Sequence, residues 1–319
     1  MKKSQKPLPQ HVSDYLDWLD VEKGLSSKTQ ENYSRFLKRF LDWLKENRLS
    51  SLKPHELSAD HIWKYRIYLA RQTRSKRSSK SLRKTTQSYY LITLRSLLTF
   101  FAERDILAIP PEKIKLPRDK GDKEVRFLSL EQLERLFSVP DISSLQGLRD
   151  RAILETFFST GMRIAELVAL NREQIEPSLN LSELELGIVG KGSRARTVYF
   201  SSRTLQWLKL YLKSRTDSDE ALFINYRTRS GAPRRLTPRS IEKSIQKYAL
   251  LAGLPPNTTP HVLRHSFATD LLSQGVDIRI LQEFLGHKNI AATQIYAHVT
   301  SKKLKEIHRQ FHSGQKLKK

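Results

Sequence analysis

The chain has 319 residues, with 57 lysines and arginines against 33 acidic residues and a formal net charge of +24. That length supports two domains with a core each, and that charge points to a polyanionic partner, nucleic acid ahead of an anionic membrane surface. With no cysteine, disulfides, thiolate metal sites and a cysteine nucleophile are excluded. No apolar run approaches the ~20 residues of a membrane span, and the opening MKKSQKPLPQ lacks the apolar core of a signal peptide.

Residues 1–9 read as a loose arm, followed by four helices. The first spans about Gln10 to Val21, and Gly24-Leu25-Ser26-Ser27 forms a turn whose Ser26 or Ser27 caps the second. There Tyr33, Phe36, Leu37, Phe40 and Leu44 recur at helical spacing. The third helix starts near Ser58 and carries Ile62, Tyr65 and Leu69; the fourth runs from about Leu82 to Asp105 with Leu91, Leu94, Leu97, Leu98 and Phe101 on one side. Between the last two lies RQTRSKRSSKSLRK, with seven basic residues and no acid. Arg71, Arg74, Lys76, Arg77, Lys80, Arg83 and Lys84 are therefore candidates for contact with DNA phosphates, which position a protein without specifying sequence. The plainer reading of such a run is a solvated face. The first domain thus covers 1–109 and is all helical. Residues 110–124, with Pro110-Pro111 and LPRDKGDKE, form a polar linker.

The second domain, 125–319, is mixed α/β but mostly helical. Ser129 and Gln132 form a capping box for a helix to about Phe137. A helix from Gly147 to Ser159 is apolar on one side, and Gly161 breaks the pattern before a new helix near Arg163, with Glu166 three residues on. Leu184 to Phe200 reads as a hairpin or small antiparallel sheet with Gly190-Lys191-Gly192 at its tip. Helices resume at Thr204–Lys213 and at Pro238–Ala252. The basic loop between them, NYRTRSGAPRRLT, adds Arg229, Arg234 and Arg235 as candidate DNA contacts.

The densest chemistry lies in TPHVLRHSFATDLLSQGVDIRILQEFLGHKNIAATQIYAHV, residues 259–299. Thr259 reads as a capping hydroxyl, with Pro260 in the first turn. His261 and Arg264 share a face of that turn, beside free backbone N–H groups and the positive dipole end, a setting for an anion. A helix of about Ile278 to Leu285 ends at Gly286, His287 follows, and Ala291–Val299 reads as a short helix carrying Tyr296. His261, Arg264, His287 and Tyr296 can thus converge on one phosphate. The spacing of His261, His265, His287 and His298 leaves a metal site as a minor alternative. His11, His55, His61, His308 and His312 read as surface.

The ordered set TGMRIAEL, GKG, HVLRH, LGH and QIYAHV resembles the tyrosine recombinase (phage integrase-like) family, with wording nearest its Xer branch. The resemblance covers nearly the whole chain. It implies a SAM-like core-binding domain at the N-terminus and a catalytic domain after it, the two forming a clamp on duplex DNA. It further implies that Arg163, Lys191, His261, Arg264, His287 and Tyr296 are catalytic. Tyr296 would be the nucleophile of a 3′-phosphotyrosine intermediate, His261 the base and Lys191 the acid, with no metal and no cofactor. The expected partners are duplex recombination sites, three further protomers in a homo- or hetero-tetramer (including a sister Xer recombinase), and a DNA-translocase activator. Ser301–Phe311 would dock on a neighbouring subunit. The implied role is site-specific recombination in the cytoplasm, on the nucleoid, with dimer resolution and mobile-element integration both open. A type IB topoisomerase shares the chemistry, and a non-catalytic DNA-binding protein shares the charge.

Overall fold

The structure is a computed structural model that describes residues 1–71, 73–75, 78–117, 126–190, 195–227 and 234–286, with Asn289, Thr293 and Tyr296; for 73–75 and 78–80 it describes the backbone alone. The chain divides into two compact units, Met1–Asp122 and Lys123–Lys319.

The first unit is built from α1 (Val12–Val21), α2 (Ser27–Glu46), α3 (Ala59–Arg71) and α4 (Lys84–Glu103). Each has one apolar stripe, and α4 is the element against which α1, α2 and α3 all pack. The core is rich in aromatics: Tyr15, Trp18, Phe40, Trp43, Tyr65, Phe100 and Phe101 are buried beside Leu37, Leu44, Leu69, Leu94 and Leu97. Phe40 meets Tyr65 edge-on at 4.9 Å between centroids, a geometry that aligns ring edge with ring face.

Three features of this unit differ from the sequence reading. The arm at 1–9 is tied down: Lys2 N–H donates to Asp105 O (2.6 Å), Leu107 N–H donates back to Lys2 O (2.9 Å), and Leu8 is fully buried. His11 is buried rather than on the surface; its ring meets the Phe101 ring at 5.1 Å, and it bonds Ser4 Oγ at 3.0 Å. The basic run after α3 contains a two-stranded antiparallel ribbon, β1 (Thr73–Ser75) and β2 (Ser78–Ser81). Beyond α4, a 3-10 turn at Pro111–Lys113 leads into Ile114, which is 1% exposed and part of this same core.

The second unit is organised by α6 (Leu145–Thr160), which is buried on nearly every side and packs against α8 (Ser202–Lys213), α10 (Pro260–Ser273) and the strand β4 (Ala195–Phe200). Ahead of it stands α5 (Leu130–Ser138), whose capping box is as the sequence indicates: Ser129 Oγ accepts from Gln132 N, and Gln132 Oε1 accepts from Ser129 N. Polar groups inside α6 are paired, as burial demands. Asp150 accepts from Arg149 (2.8 Å) and from the Tyr248 hydroxyl (2.7 Å); Glu155 accepts from Arg151 and Arg203. Helix α6 ends at Gly161 in the left-handed region (φ 57°), and α7 (Ile164–Ala169) starts three residues later. A Cβ on Gly161 would lie 2.3 Å from the Phe267 ring, so glycine is required there both for the backbone turn and for the packing of α10.

β3 (Leu184–Val189) and β4 form the antiparallel hairpin, with Leu184 opposite Phe200 and Val189 opposite Ala195. α9 (Pro238–Leu251) precedes α10, and α11 (Ile278–Leu285) follows it. α10 and α11 share a small core of Ala268, Leu272, Leu281 and Leu285, and the Tyr296 ring is part of it.

Candidate active site

Glu166 is the anchor of the site. It sits in the first turn of α7, 8% exposed, and its Oε2 accepts from the backbone N–H of Arg163 at 2.7 Å, closing the helix start. The Arg163 guanidinium returns to the same carboxylate, Nη1 to Oε1 at 3.0 Å. From β4, Arg196 places both terminal nitrogens on both oxygens, at 2.8 and 2.7 Å. Burial is the largest single influence on this carboxyl and pushes its pKa up. The hydrogen bonds from Arg196 and from the Arg163 backbone, with the Arg196 charge, outweigh it and hold the pKa at about 2.

The end of α11 completes the cluster. The final carbonyls of a helix lack intrahelical partners and carry the negative end of its dipole. Here three successive ones are each taken by a different arginine: Arg196 Nε donates to Phe284 O (3.2 Å), Arg264 Nη2 to Leu285 O, and Arg163 Nη2 to Gly286 O (3.2 Å). Arg264 reaches across to α6 as well, donating from Nη1 to Gly161 O. Three guanidiniums thus face one carboxylate, leaving the cluster two positive charges in excess. Arg264, 5% exposed, feels this most. Desolvation first, then the neighbouring Arg163 and Arg196 charges, push its pKa down to about 9; at neutral pH it remains a cation. A buried surplus of positive charge on planar forks suits a phosphate.

Tyr296 lies beside this cluster. Its ring is 1% exposed, and its hydroxyl is hydrogen-bonded to Nδ1 of His265. Burial raises the phenol to about 12, against the opposing pull of the Arg264 charge. Burial, then the charges of His261 and Arg264, push His265 down to about 4. The imidazole is therefore neutral at physiological pH and able to accept.

Arg163, Arg264 and Tyr296 thus meet in one site. His261 is exposed on the first turn of α10 while Arg264 turns inward, so the expected shared face divides. Thr259 occupies the cap position of α10, but its side chain makes no capping hydrogen bond. Lys191, His287 and the helices expected at Ala291–Val299 and Ser301–Phe311 lie outside the described residues. Among the DNA-contact candidates, Arg71, Arg83, Lys84 and Arg234 are exposed, Arg74 and Lys80 fall on β1 and β2, and Lys76, Arg77 and Arg229 lie outside the described residues. Arg235, 29% exposed, is also braced within the protein. It donates to Val168 O (2.8 Å), Leu170 O (2.9 Å) and Asn171 Oδ1 (2.6 Å), capping the exposed carbonyls at the end of α7.

Two site residues escaped the sequence reading. Arg196 carried a signal: it alternates with Val198 and Phe200, whose side chains are buried, so an arginine on the inward face of a strand required a buried partner. His265 carried none, because it stands one helical turn from His261 and only the tertiary fold chooses between them.

The sequence pattern of the Phage integrase family matches residues 126–303, and that of the Phage integrase N-terminal SAM-like domain matches residues 12–109. The chain belongs to the phage integrase family. Within that family it is similar to tyrosine recombinase XerD of Staphylococcus epidermidis, 33% identical over 310 residues that cover 94% of this chain and 98% of the relative. It is 32% identical to tyrosine recombinase XerD of Lacticaseibacillus casei over 309 residues, with the same coverage. As a phage integrase family enzyme it is a DNA tyrosine recombinase, mainly helical with small two-stranded antiparallel sheets. Its fold is that of the XerH site-specific recombinase bound to a palindromic difH substrate, with a TM-score of 0.68 at 22% identity over 99% of this chain and 92% of the other.

Proposed function

We propose that this enzyme performs site-specific recombination on duplex DNA with Tyr296 as nucleophile, and that its role is of the Xer type, resolving chromosome or plasmid dimers. The carrying observation is that the buried Tyr296 hydroxyl is hydrogen-bonded to His265, the neighbour in α10 of Arg264, whose guanidinium caps the same helix end as Arg163 and Arg196. A phosphodiester resists attack because it is anionic, so a nucleophile beside fixed positive charge is what its cleavage needs. The Tyr296 oxygen forms a bond to phosphorus, the bond to the 5′-oxygen breaks, and that oxygen leaves with a proton from Lys191. Arg163 and Arg264 hold the non-bridging oxygens, and His287 adds a hydrogen bond. The Tyr296 proton passes to His265, whose Nδ1 is hydrogen-bonded to the phenol oxygen, rather than to His261. The 3′-phosphotyrosine is then attacked by a 5′-hydroxyl of the partner strand, the reverse exchange.

The partner is duplex DNA, gripped by a core-binding domain at 1–109 and a catalytic domain at 125–319 joined through 110–124. The basic run at 71–84 and the net charge of +24 support contact from both domains. Four protomers, including those of a sister recombinase, would act on two sites in the nucleoid under a translocase. The near-full-length similarity to XerD proteins favours dimer resolution over mobile-element integration.

The test uses nicked duplexes carrying sites selected by this protein from a randomised pool, in EDTA. Wild type is expected to give a covalent protein–DNA band and Tyr296→Phe none. Equal bands from both would remove Tyr296 from the role.

A further inference from the structure

We propose that Arg196 is a positioning residue for strand cleavage: by sharing Glu166, it keeps the Arg163 guanidinium charged toward the substrate instead of closed onto its own carboxylate. This rests on the reading of Arg163 as a ligand of the scissile phosphate. Arg196 is turned inward, with an internal acceptor on each of its three nitrogens. Its two Nη atoms are on the two Glu166 oxygens, its Nε is on Phe284 O, and its side chain is 9% exposed. What it does is divide Glu166. The carboxylate offers Arg163 a single side-chain contact, Nη1 to Oε1, and keeps Oε2 for the Arg163 backbone and for Arg196. The Arg163 side chain stays 28% exposed, the most accessible of the three arginines at the cluster.

The same side chain links three segments that carry site residues. β4 holds Arg196 itself, the start of α7 holds Arg163, and the end of α11 precedes His287 in the chain. The fit at α11 is close: a Cβ on Gly286, whose φ is 59°, would stand 2.7 Å from Arg196 Cδ. Without the Arg196 fork, Glu166 is free to take a second N–H of Arg163 in a two-point pair, the arrangement guanidinium and carboxylate favour. That would neutralise Arg163 and draw it from the substrate. Lysine, a compact point charge with rotatable donors, does not reproduce that planar two-point fork.

The distinguishing experiment compares two nicked duplexes, one with the natural scissile phosphate and one with a methylphosphonate there, which lacks one anionic oxygen and so needs less charge neutralisation. Formation of the covalent complex is timed for wild type, Arg196→Lys, Arg196→Met and Arg163→Ala, each at saturating protein. We expect the Arg196 variants to be slowed about a hundredfold on phosphate, the size of effect that a displaced catalytic group produces. On methylphosphonate their deficit should shrink to less than about tenfold, in parallel with Arg163→Ala. Both rates come from one preparation, so a variant that merely folds poorly loses the same factor on both substrates, and that result would overturn the proposal. So would wild-type rates for Arg196→Met. If Arg163→Ala itself shows no selective recovery, the reading of Arg163 has failed and the proposal falls with it. If Arg163→Ala recovers while the Arg196 variants do not, only the role of Arg196 is lost.

Discussion

At the scale of single residues, the site stores its reactivity by burial. The Tyr296 phenol is held near 12 because burial disfavours the anion it would form; Arg264 offsets only part of that cost. Titrating the DNA-free protein should therefore show Tyr296 still neutral at pH 10. The absorbance difference between wild type and Tyr296→Phe checks this, and a midpoint near 12 is expected. Among the described residues, the neutral His265 is the hydrogen-bond partner of that phenol. His265→Asn keeps a hydrogen-bonding group close to the Nδ1 position but cannot take up a proton, so it and His265→Phe should both slow cleavage about a hundredfold or more, the range of a proton-transfer partner. Covalent-complex rates on a nicked duplex measure both. Near-wild-type cleavage by His265→Asn would remove His265 from the role of base.

At the scale of elements, what was legible in the sequence followed local rules. Helices α2, α4, α5 and α11 showed their apolar spacing and caps, and Gly161 and Gly286 showed as stops because a left-handed residue is a backbone requirement that glycine meets. The illegible parts depend on distant partners. Arg235 reads as one more cation of a basic loop, and nothing local reveals that the carbonyls of Val168 and Leu170 wait for it. The polar sequence of β1 and β2 has little strand character, and His11 is buried only because the Phe101 ring, ninety residues on, covers it. The pairing of Arg196 with Glu166 crosses thirty residues in the same way. Gly161→Ala tests the junction where local and distant demands coincide. A left-handed alanine costs about 1–2 kcal/mol, and overlap with the Phe267 ring adds to it, typically another 1–3 kcal/mol. Urea unfolding should show the sum, and a variant as stable as wild type would contradict the described packing.

At the scale of the whole molecule, two cores carry two tasks. The core of the first unit runs past its fourth helix, taking in Ile114 and packing Leu116 against it, so the basic spacer proper begins later than composition alone indicates. A fragment of residues 1–117 should fold cooperatively, and one ending at residue 109 should be weaker by roughly 2 kcal/mol for the loss of one buried isoleucine. Thermal melting of the two fragments compares them, and equal midpoints would contradict the burial of Ile114. The excess of positive charge over both units favours the duplex backbone, while the proposed site of cleavage is a cluster where Glu166 holds Arg163 and Arg196, with Arg264 and the buried Tyr296 beside them. The most direct test of that assignment is to digest the covalent protein–DNA complex with trypsin and nuclease and locate the nucleotide by mass spectrometry. The account predicts the adduct on Tyr296, within the peptide NIAATQIYAHVTSK of residues 289–302. An adduct on any other side chain would contradict it.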